Sequence, residues 1–106
     1  MHKGSIVLVP FPFTDLSGQK VRPALVLATS RGDDCTLAFI SSVSKKRGPF
    51  DIPVHASRHN GLKADSVIKL GKIATLQKSI MLGTIGHLEP ALTAQADGKL
   101  RKFFRL

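Results

Sequence analysis

The sequence is poor in cysteine, aromatic residues and acidic residues: it has one cysteine, no tryptophan, no tyrosine and seven Asp and Glu among 106 residues. A single Cys35 excludes an intramolecular disulfide, and its place at the start of an apolar segment predicts a buried strand residue. The apolar runs are far too short to cross a membrane. Pro10 and Pro12 interrupt the N-terminal apolar run, so a signal peptide is not predicted. We therefore expect a soluble, cytoplasmic protein.

The charge balance is the strongest compositional signal. Sixteen Lys and Arg side chains give a net charge of +9, which indicates a polyanionic partner, either nucleic acid or an acidic protein. The chain has no phosphate-binding or dinucleotide-binding glycine motif, and its carboxylates are too scattered for a two-metal site. We expect one domain over residues 1–106, with no cofactor and no metal.

Apolar runs of strand length recur at short intervals and predict a mainly β fold with a barrel or sandwich core, of which we expect a small barrel. The residues 31–34 predict a hairpin turn, and Asn60-Gly61 predicts a turn in a polar loop. Leu92, Ala96 and Leu100 recur at helical spacing after Pro90, which predicts a C-terminal helix. The predicted strands cover residues 5–10, 23–30, 35–42, 50–55, 66–70, 72–76 and 80–87.

Arg22 begins the apolar segment that follows a glycine-containing polar loop. Pro23 restricts the backbone beside it, because proline fixes its own φ and limits the preceding residue. A guanidinium fixed by a sheet and facing a loop can direct paired hydrogen-bond donors at a phosphate. Arg22 is therefore the first candidate for phosphate chemistry, and a structural arginine at a strand start is the alternative.

Several segments resemble one known family. Gly-Ser-Ile-Val-Leu-Val at 4–9, Phe-Thr-Asp-Leu-Ser-Gly at 13–18 and Val-Arg-Pro-Ala-Leu-Val-Leu at 21–27 resemble the opening of the PemK/MazF toxins. Leu-Ala-Phe-Ile-Ser-Ser-Val at 37–43 and Leu-Lys-Ala-Asp-Ser-Val-Ile-Lys-Leu at 62–70 resemble later parts of the same pattern. The resemblance extends over about residues 4 to 104.

This resemblance implies an SH3-like barrel of the CcdB/PemK type, a homodimer and cleavage of single-stranded RNA by attack of a 2′-hydroxyl on the adjacent phosphate. It also implies neutralisation by a cognate antitoxin, for which an acidic segment would suit the charge. The catalytic residues implied are Arg22 and Ser41, where Ser41 stands at a threonine of the family. Ser42 is the alternative if the register differs by one residue, which would turn the hydroxyl to the other face of the sheet.

The candidate RNA-binding residues are an aromatic side chain and four cations, Phe13, Lys20, Lys45, Lys46 and Arg47. Phe13 can stack on an unpaired base, or it can be a core residue. The cations can contact phosphates, or they can form a solvated surface. The histidines give no clear pair, because His55 and His59 meet only if their loop folds back.

Two other functions remain open. The first is a gyrase poison of the CcdB type, which relies on a terminal Trp-Gly-Ile. This chain ends in Phe-Phe-Arg-Leu and has no tryptophan, which disfavours that function. A non-catalytic basic RNA-binding barrel would share the charge and the fold, and only a cleavage assay separates it from a ribonuclease. The RNA sequence that is cut cannot be predicted, because loop shapes determine it.

Overall fold

The computed structural model describes residues 1–11, 20–42 and 47–106. Within them the chain forms strands, one short 3₁₀ helix over Lys78–Ile80 and one α-helix, α1, over Pro90–Phe104. This confirms the mainly β fold with a C-terminal helix that the sequence predicts. The strands are β1 (Ser5–Phe11), β2 (Lys20–Thr29), β3 (Asp34–Ser41), β4 (Asp51–Val54), β5 (Ser66–Gln77) and β6 (Gly83–His87).

The strands form one antiparallel sheet in the order β4-β5-β3-β2-β1-β6. Strands β1, β2 and β3 are neighbours in sequence and in space. The hairpin predicted at residues 31–34 is confirmed, since β2 pairs with β3 and the Ser30 N–H donates to the Asp34 carbonyl across 3.3 Å. Strand β5 pairs with β3 and β4, while β6 returns to the other side of β1.

The two faces of the curled sheet bury two separate apolar clusters. Because side chains alternate along a strand, neighbouring residues such as Ile6 and Val7 belong to different clusters. The first lies beneath α1 and includes Ile6, Leu25, Ala38, Ile40, Ile52, Ile68, Leu70 and Ala96. The second consists of Val7, Val9, Ala24, Val26, Cys35 and Leu37. The prediction that Cys35 is buried is confirmed, and burial raises the pKa of its thiol.

Helix α1 covers the first cluster with one face. Ala96 is buried, and Leu92 and Leu100 pack against the same cluster, as their spacing predicts. Pro90 occupies the first turn, where its missing N–H costs nothing. The side chain of Phe103 stacks edge-on against Phe50 at 5.0 Å between ring centroids. No helix in the described part of the chain is long and apolar enough to span a membrane.

The largest departures from the predicted strands concern three segments. The segments 66–70 and 72–76 are one strand, β5, because Gly71 lies in a shift of register against β3 rather than in a turn. The predicted strand 80–87 begins only at Gly83. Its start is displaced because Lys78 donates its N–H to the Asp33 carbonyl and accepts one from Met81, which closes the 3₁₀ turn.

Candidate nucleic-acid interface

Arg22 and Ser41 lie near the ends of neighbouring strands. Arg22 in β2 pairs with Val9 in β1, and the last pair between β2 and β3 is Ala24 with Phe39. Continuing that register by two residues sets Arg22 opposite Ser41, and side chains directly opposite each other share a face. The face is that of the second apolar cluster, which contains Val9 and Ala24.

Lys20 extends the same row of β2. It is exposed and pairs with Phe11, and its distance of two residues from Arg22 gives it the same face of the strand. Arg22 is half-buried, and the ion pairs in the described part of the chain join other residues. We call Lys20, Arg22 and Ser41 the Arg22 face. Its guanidinium and ammonium groups can bind an anion. A guanidinium binds it through two parallel hydrogen-bond donors.

A groove of about 360 Å³ opens beside Arg22 on the opposite face of β2. Val21 and Pro23, the two neighbours of Arg22, line it, together with apolar side chains of Leu8 and Leu62. Val21 is 51% exposed although it is a strand valine. Ser42 also lines this groove. The wall is thus mainly apolar and suits the flat surface of an unpaired base.

A second groove of about 230 Å³ shares Ser42 with the first. Arg47, His55 and Asp65 are its charged and ionisable lining residues, and we call it the Arg47 groove. Ser41 and Ser42 are consecutive, so the Arg22 face and the two grooves meet at the end of β3. Arg47 therefore lies at a concave surface, and its contact with phosphate stays a prediction. The other predicted contacts Phe13, Lys45 and Lys46 lie outside the described residues.

Asp51 anchors the segment that carries Arg47 to the sheet. Its Oδ2 accepts hydrogen bonds from Lys69 Nζ and from the Gly48 N–H, each across 2.8 Å. Lys99 of α1 donates to the carbonyl oxygens of Pro49 and Asp51. Burial alone would raise the pKa of Asp51, but the hydrogen bonds from Lys69 and Gly48 outweigh it and lower the pKa below its usual value.

The loop between β4 and β5 folds around a fully buried side chain, that of Asn60. Its Oδ1 accepts the N–H groups of Ser57 and Leu62, each across 3.0 Å, and its Nδ2 donates to the His55 carbonyl across 2.8 Å. Nδ2 also donates to the carboxylate of Glu89, which precedes α1. Every polar atom of this side chain therefore has a partner, as a buried amide requires.

Glu89 completes this arrangement, which we call the Asn60 network. Burial would raise the pKa of Glu89, but hydrogen bonds from Ser57 Oγ, from its own backbone and from Asn60 lower it below its usual value. Gly61 has φ +72°, and a Cβ on it would collide with the Ile85 carbonyl, so the predicted turn at 60–61 needs a glycine. The turn has a local signal in the sequence, but the network has none, because Glu89 is 29 residues away from Asn60.

His55 pairs with a carboxylate rather than with His59. Its Nδ1 lies 3.2 Å from Asp65 Oδ2, while Asp65 Oδ1 accepts the Ala56 N–H across 2.9 Å. These two contacts, first the one from Ala56 and then the one from His55, lower the pKa of Asp65 below its usual value. The sequence pattern does not indicate this pair, because the two residues are ten positions apart in an irregular loop. Within residues 1–11, 20–42 and 47–106, no three His, Cys, Asp or Glu side chains are grouped as a metal site requires.

The family model of PemK-like, MazF-like toxins of type II toxin–antitoxin systems matches residues 2–104. No curated protein sequence matches the chain significantly. The fold is similar to that of an endoribonuclease solved with its cognate antitoxin from a mycobacterial species, with a TM-score of 0.77 and 16% identity over 100% of this chain and 96% of that one.

Two further solved structures have the same fold. Mycobacterium tuberculosis toxin MazF-mt6 has a TM-score of 0.76 and 22% identity over 96% of this chain and 97% of that one. A MazE–MazF structure from Deinococcus radiodurans has a TM-score of 0.78 and 21% identity over 100% of this chain and 96% of that one. At these identities, the likeness establishes the fold and leaves the chemistry to the residues of this chain.

Proposed function

The chain belongs to the family of PemK-like, MazF-like toxins of type II toxin–antitoxin systems, and we propose that it is a metal-independent endoribonuclease that cleaves single-stranded RNA. The observation that carries this proposal is the Arg22 face, where a half-buried guanidinium stands opposite a serine hydroxyl when the register of β2 and β3 is continued. The adjoining apolar groove supports binding of an unpaired base.

The proposed reaction is transesterification within the RNA. The 2′-hydroxyl loses its proton and its oxygen attacks the adjacent phosphorus, while the 5′-oxygen leaves and takes up a proton. The products are a 2′,3′-cyclic phosphate and a 5′-hydroxyl. Negative charge accumulates on the phosphoryl oxygens in the transition state, and Arg22 stabilises it with preorganised donors. The Ser41 hydroxyl donates a hydrogen bond to an oxygen of the same phosphate.

We further propose that a cognate antitoxin with an acidic segment inhibits the enzyme by covering its cations. The solved relatives include a MazE–MazF structure and an endoribonuclease with its cognate antitoxin, and the net charge of +9 suits such a partner. A homodimer in the cytoplasm is part of the same proposal. RNA and an acidic segment would then compete for one cationic surface.

The test is the rate of RNA cleavage by Arg22→Ala and Arg22→Lys. Loss of one preorganised donor to a developing oxyanion costs about 10²–10³ in rate. Lysine should restore only part of it, because an ammonium lacks the planar pair of donors. The thermal unfolding of each variant serves as the control for folding. Undiminished cleavage by a folded Arg22→Ala variant would remove Arg22 from the mechanism, and RNA binding without cleavage by the wild type would favour the non-catalytic RNA-binding barrel.

A further inference from the structure

We propose that the apolar groove beside Arg22 holds one unpaired base next to the bond that is cleaved, and that Lys63 selects uracil or guanine over cytosine or adenine there. This inference rests on the proposed function, because the base belongs to the same RNA. We call this groove the Val21 groove. Its volume of about 360 Å³ lies near the lower end of the range for ligand pockets, about 300–1,000 Å³, which suits a single base.

The Val21 groove is the open end of the first apolar cluster. Leu62 is buried in that cluster and Ile85 packs against it, and both line the groove. Leu8 and Pro23 pair directly across β1 and β2 and therefore share this face of the sheet. Val21 forms an exposed rim. Apolar walls of this kind favour the flat surface of a base over the hydrated sugar and phosphate.

The wall that the loop between β4 and β5 contributes is fixed on both sides of Lys63. Before it, the Leu62 N–H donates to Asn60 Oδ1 across 3.0 Å. After it, the Ala64 carbonyl accepts a hydrogen bond from Ser66 Oγ across 2.8 Å. Lys63 therefore extends from a fixed backbone, as a residue that selects between similar ligands requires.

Lys63 is the charged residue among the described residues that line the Val21 groove. Asp65, two positions further along, lines the Arg47 groove instead, where it accepts the Ala56 N–H and contacts His55. The ion pairs found in the described part of the chain join other residues than Lys63. Its ammonium group is thus available to a ligand in the groove.

The chemistry of an ammonium group determines which bases it favours. It offers three hydrogen-bond donors and no acceptor. Uracil and guanine present a carbonyl oxygen where cytosine and adenine present an amino group. Lys63 would therefore stabilise the first two bases and be opposed by the amino group of the other two. Ser42, the other polar side chain that lines the groove, can donate or accept and does not discriminate.

The position of the Val21 groove favours a base of the RNA over a side chain of an acidic protein. Val21 and Pro23 flank Arg22 in β2, and Ser42 follows Ser41 in sequence. The groove therefore adjoins the Arg22 face, where the cleaved phosphate is proposed to bind. A nucleotide carries a phosphate and a base joined by one sugar, which matches two adjoining surfaces of these kinds.

The experiment measures binding of two single-stranded 2′-O-methyl homopolymers of equal length, oligo-U and oligo-C, which cannot be cleaved by 2′-hydroxyl attack. Both probes carry the same phosphates, so contacts with the RNA backbone cancel in the ratio of the two affinities. We expect the wild type to bind oligo-U about fivefold more tightly than oligo-C, near the lower end for a contact that discriminates between bases.

Two variants and one control test the role of the Val21 groove. Lys63→Gln should abolish the difference between the probes, because an amide can donate or accept. Ala64→Leu places a larger side chain in the groove, so its affinity for oligo-U should fall to that for oligo-C. Arg58→Gln removes an exposed cation of the same loop that does not line the groove, and it should keep the wild-type ratio. Thermal unfolding of each variant is the control for folding.

The proposal is overturned if the wild type binds the two probes equally, or if Lys63→Gln keeps the wild-type ratio. It is also overturned if Ala64→Leu weakens binding of an acidic peptide but not of oligo-U. A parallel cleavage assay with ordinary RNA separates the two proposals. A ratio that depends on Lys63, without cleavage by the wild type, would contradict the ribonuclease and support the base site. Cleavage together with a ratio that Lys63→Gln leaves unchanged would do the reverse.

Discussion

The Asn60 network and the Arg22 face use polar side chains in opposite ways. Asn60 is fully buried, and its amide oxygen and nitrogen are both occupied by backbone groups or by Glu89. Arg22 is half-buried at a strand end, and Lys20 beside it is exposed. A buried amide with every partner supplied fixes one backbone conformation. Cations that remain accessible at a fixed backbone are available for an anionic ligand.

Substitution of the buried amide should have the largest effect. Asn60→Ala leaves two backbone N–H groups and one carbonyl without their side-chain partner. It also removes one of the donors to the Glu89 carboxylate, which keeps the Ser57 hydroxyl. An unsatisfied buried polar group costs about 1–3 kcal/mol, so we expect the free energy of unfolding to fall by about 4 kcal/mol. His59→Ala, an exposed neighbour, should change it by less than about 0.5 kcal/mol. Chemical denaturation measures both, and equal small effects would show that the network contributes no stability.

The pair of Asp51 and Lys69 tests how the sheet holds the Arg47 segment. Its two residues are half-buried, with side chains 11% and 20% exposed. Asp51→Asn should therefore lower the free energy of unfolding at pH 7 by about 2 kcal/mol, less than the loss of one partner from a fully buried pair. The folded-state pKa of Asp51 lies below its usual value. Its stabilising contribution is therefore present above the usual carboxyl pKa of about 4 and is lost as the pH falls below it.

The measurement is denaturant unfolding of the wild type and of Asp51→Asn from pH 7 to pH 2. The difference between the two proteins should shrink as the pH falls below about 4, because the wild-type carboxylate becomes protonated there. Glu89, whose pKa is also lowered, remains in both proteins and so cancels in the difference. A difference that stays constant over this range would mean that the charge of Asp51 does not stabilise the fold.

Substitution of the three cations at residues 45–47 should have a smaller effect. We expect it to change RNA binding rather than folding. Replacing Lys45, Lys46 and Arg47 by alanine removes up to three phosphate contacts. We expect the logarithmic salt slope of RNA binding to shrink by roughly 2 and the affinity to fall about thirtyfold for all RNA sequences alike. Binding of an acidic antitoxin should weaken too. Identical salt slopes for the wild type and the triple variant would mean that these three cations form a solvated surface and do not contact the RNA.

The smallest effect expected is that of one hydroxyl on the Arg22 face. Ser41→Ala should slow cleavage about tenfold, as loss of one hydrogen bond to a charged group does. Ser41→Thr should restore or raise the rate, because a second substituent on Cβ restricts the rotamer of the hydroxyl. Ser42→Ala is the matched variant on the opposite face. If only Ser42→Ala slows cleavage, the reacting phosphate lies in the grooves and not on the Arg22 face.

Local patterns predicted the parts of the fold that depend on neighbours in sequence. The hairpin at 31–34 and the helix after Pro90 are such parts, and both are confirmed. The continuity of β5 was missed because Gly71 is typical of a turn, whereas β3 pairs with β5 on both sides of Gly71 and the strand continues across the shift in register. At such a position, pairing with a neighbouring strand outweighs the intrinsic conformational preference of the residue.

The arrangement of the candidate site was predicted only in part for the same reason. Arg22 was proposed as a candidate from its place between a polar loop and an apolar strand, which is a local signal. Its relation to Ser41 depends on strand register, and the contact of Asn60 with Glu89 joins residues far apart in the chain. The pair of His55 and Asp65 needs the loop to fold back around Asn60. None of these spatial relations has a short-range pattern in the sequence.

The most direct test of the ribonuclease assignment is incubation of the purified wild-type chain with a long single-stranded RNA in excess chelator, followed by analysis of the ends of the fragments. The reaction proposed here predicts discrete fragments that carry a 2′,3′-cyclic phosphate and a 5′-hydroxyl, formed without any divalent metal and at a rate that Arg22→Ala lowers about 10²–10³-fold. Intact RNA under these conditions, or fragments that appear only when metal is restored, would contradict it.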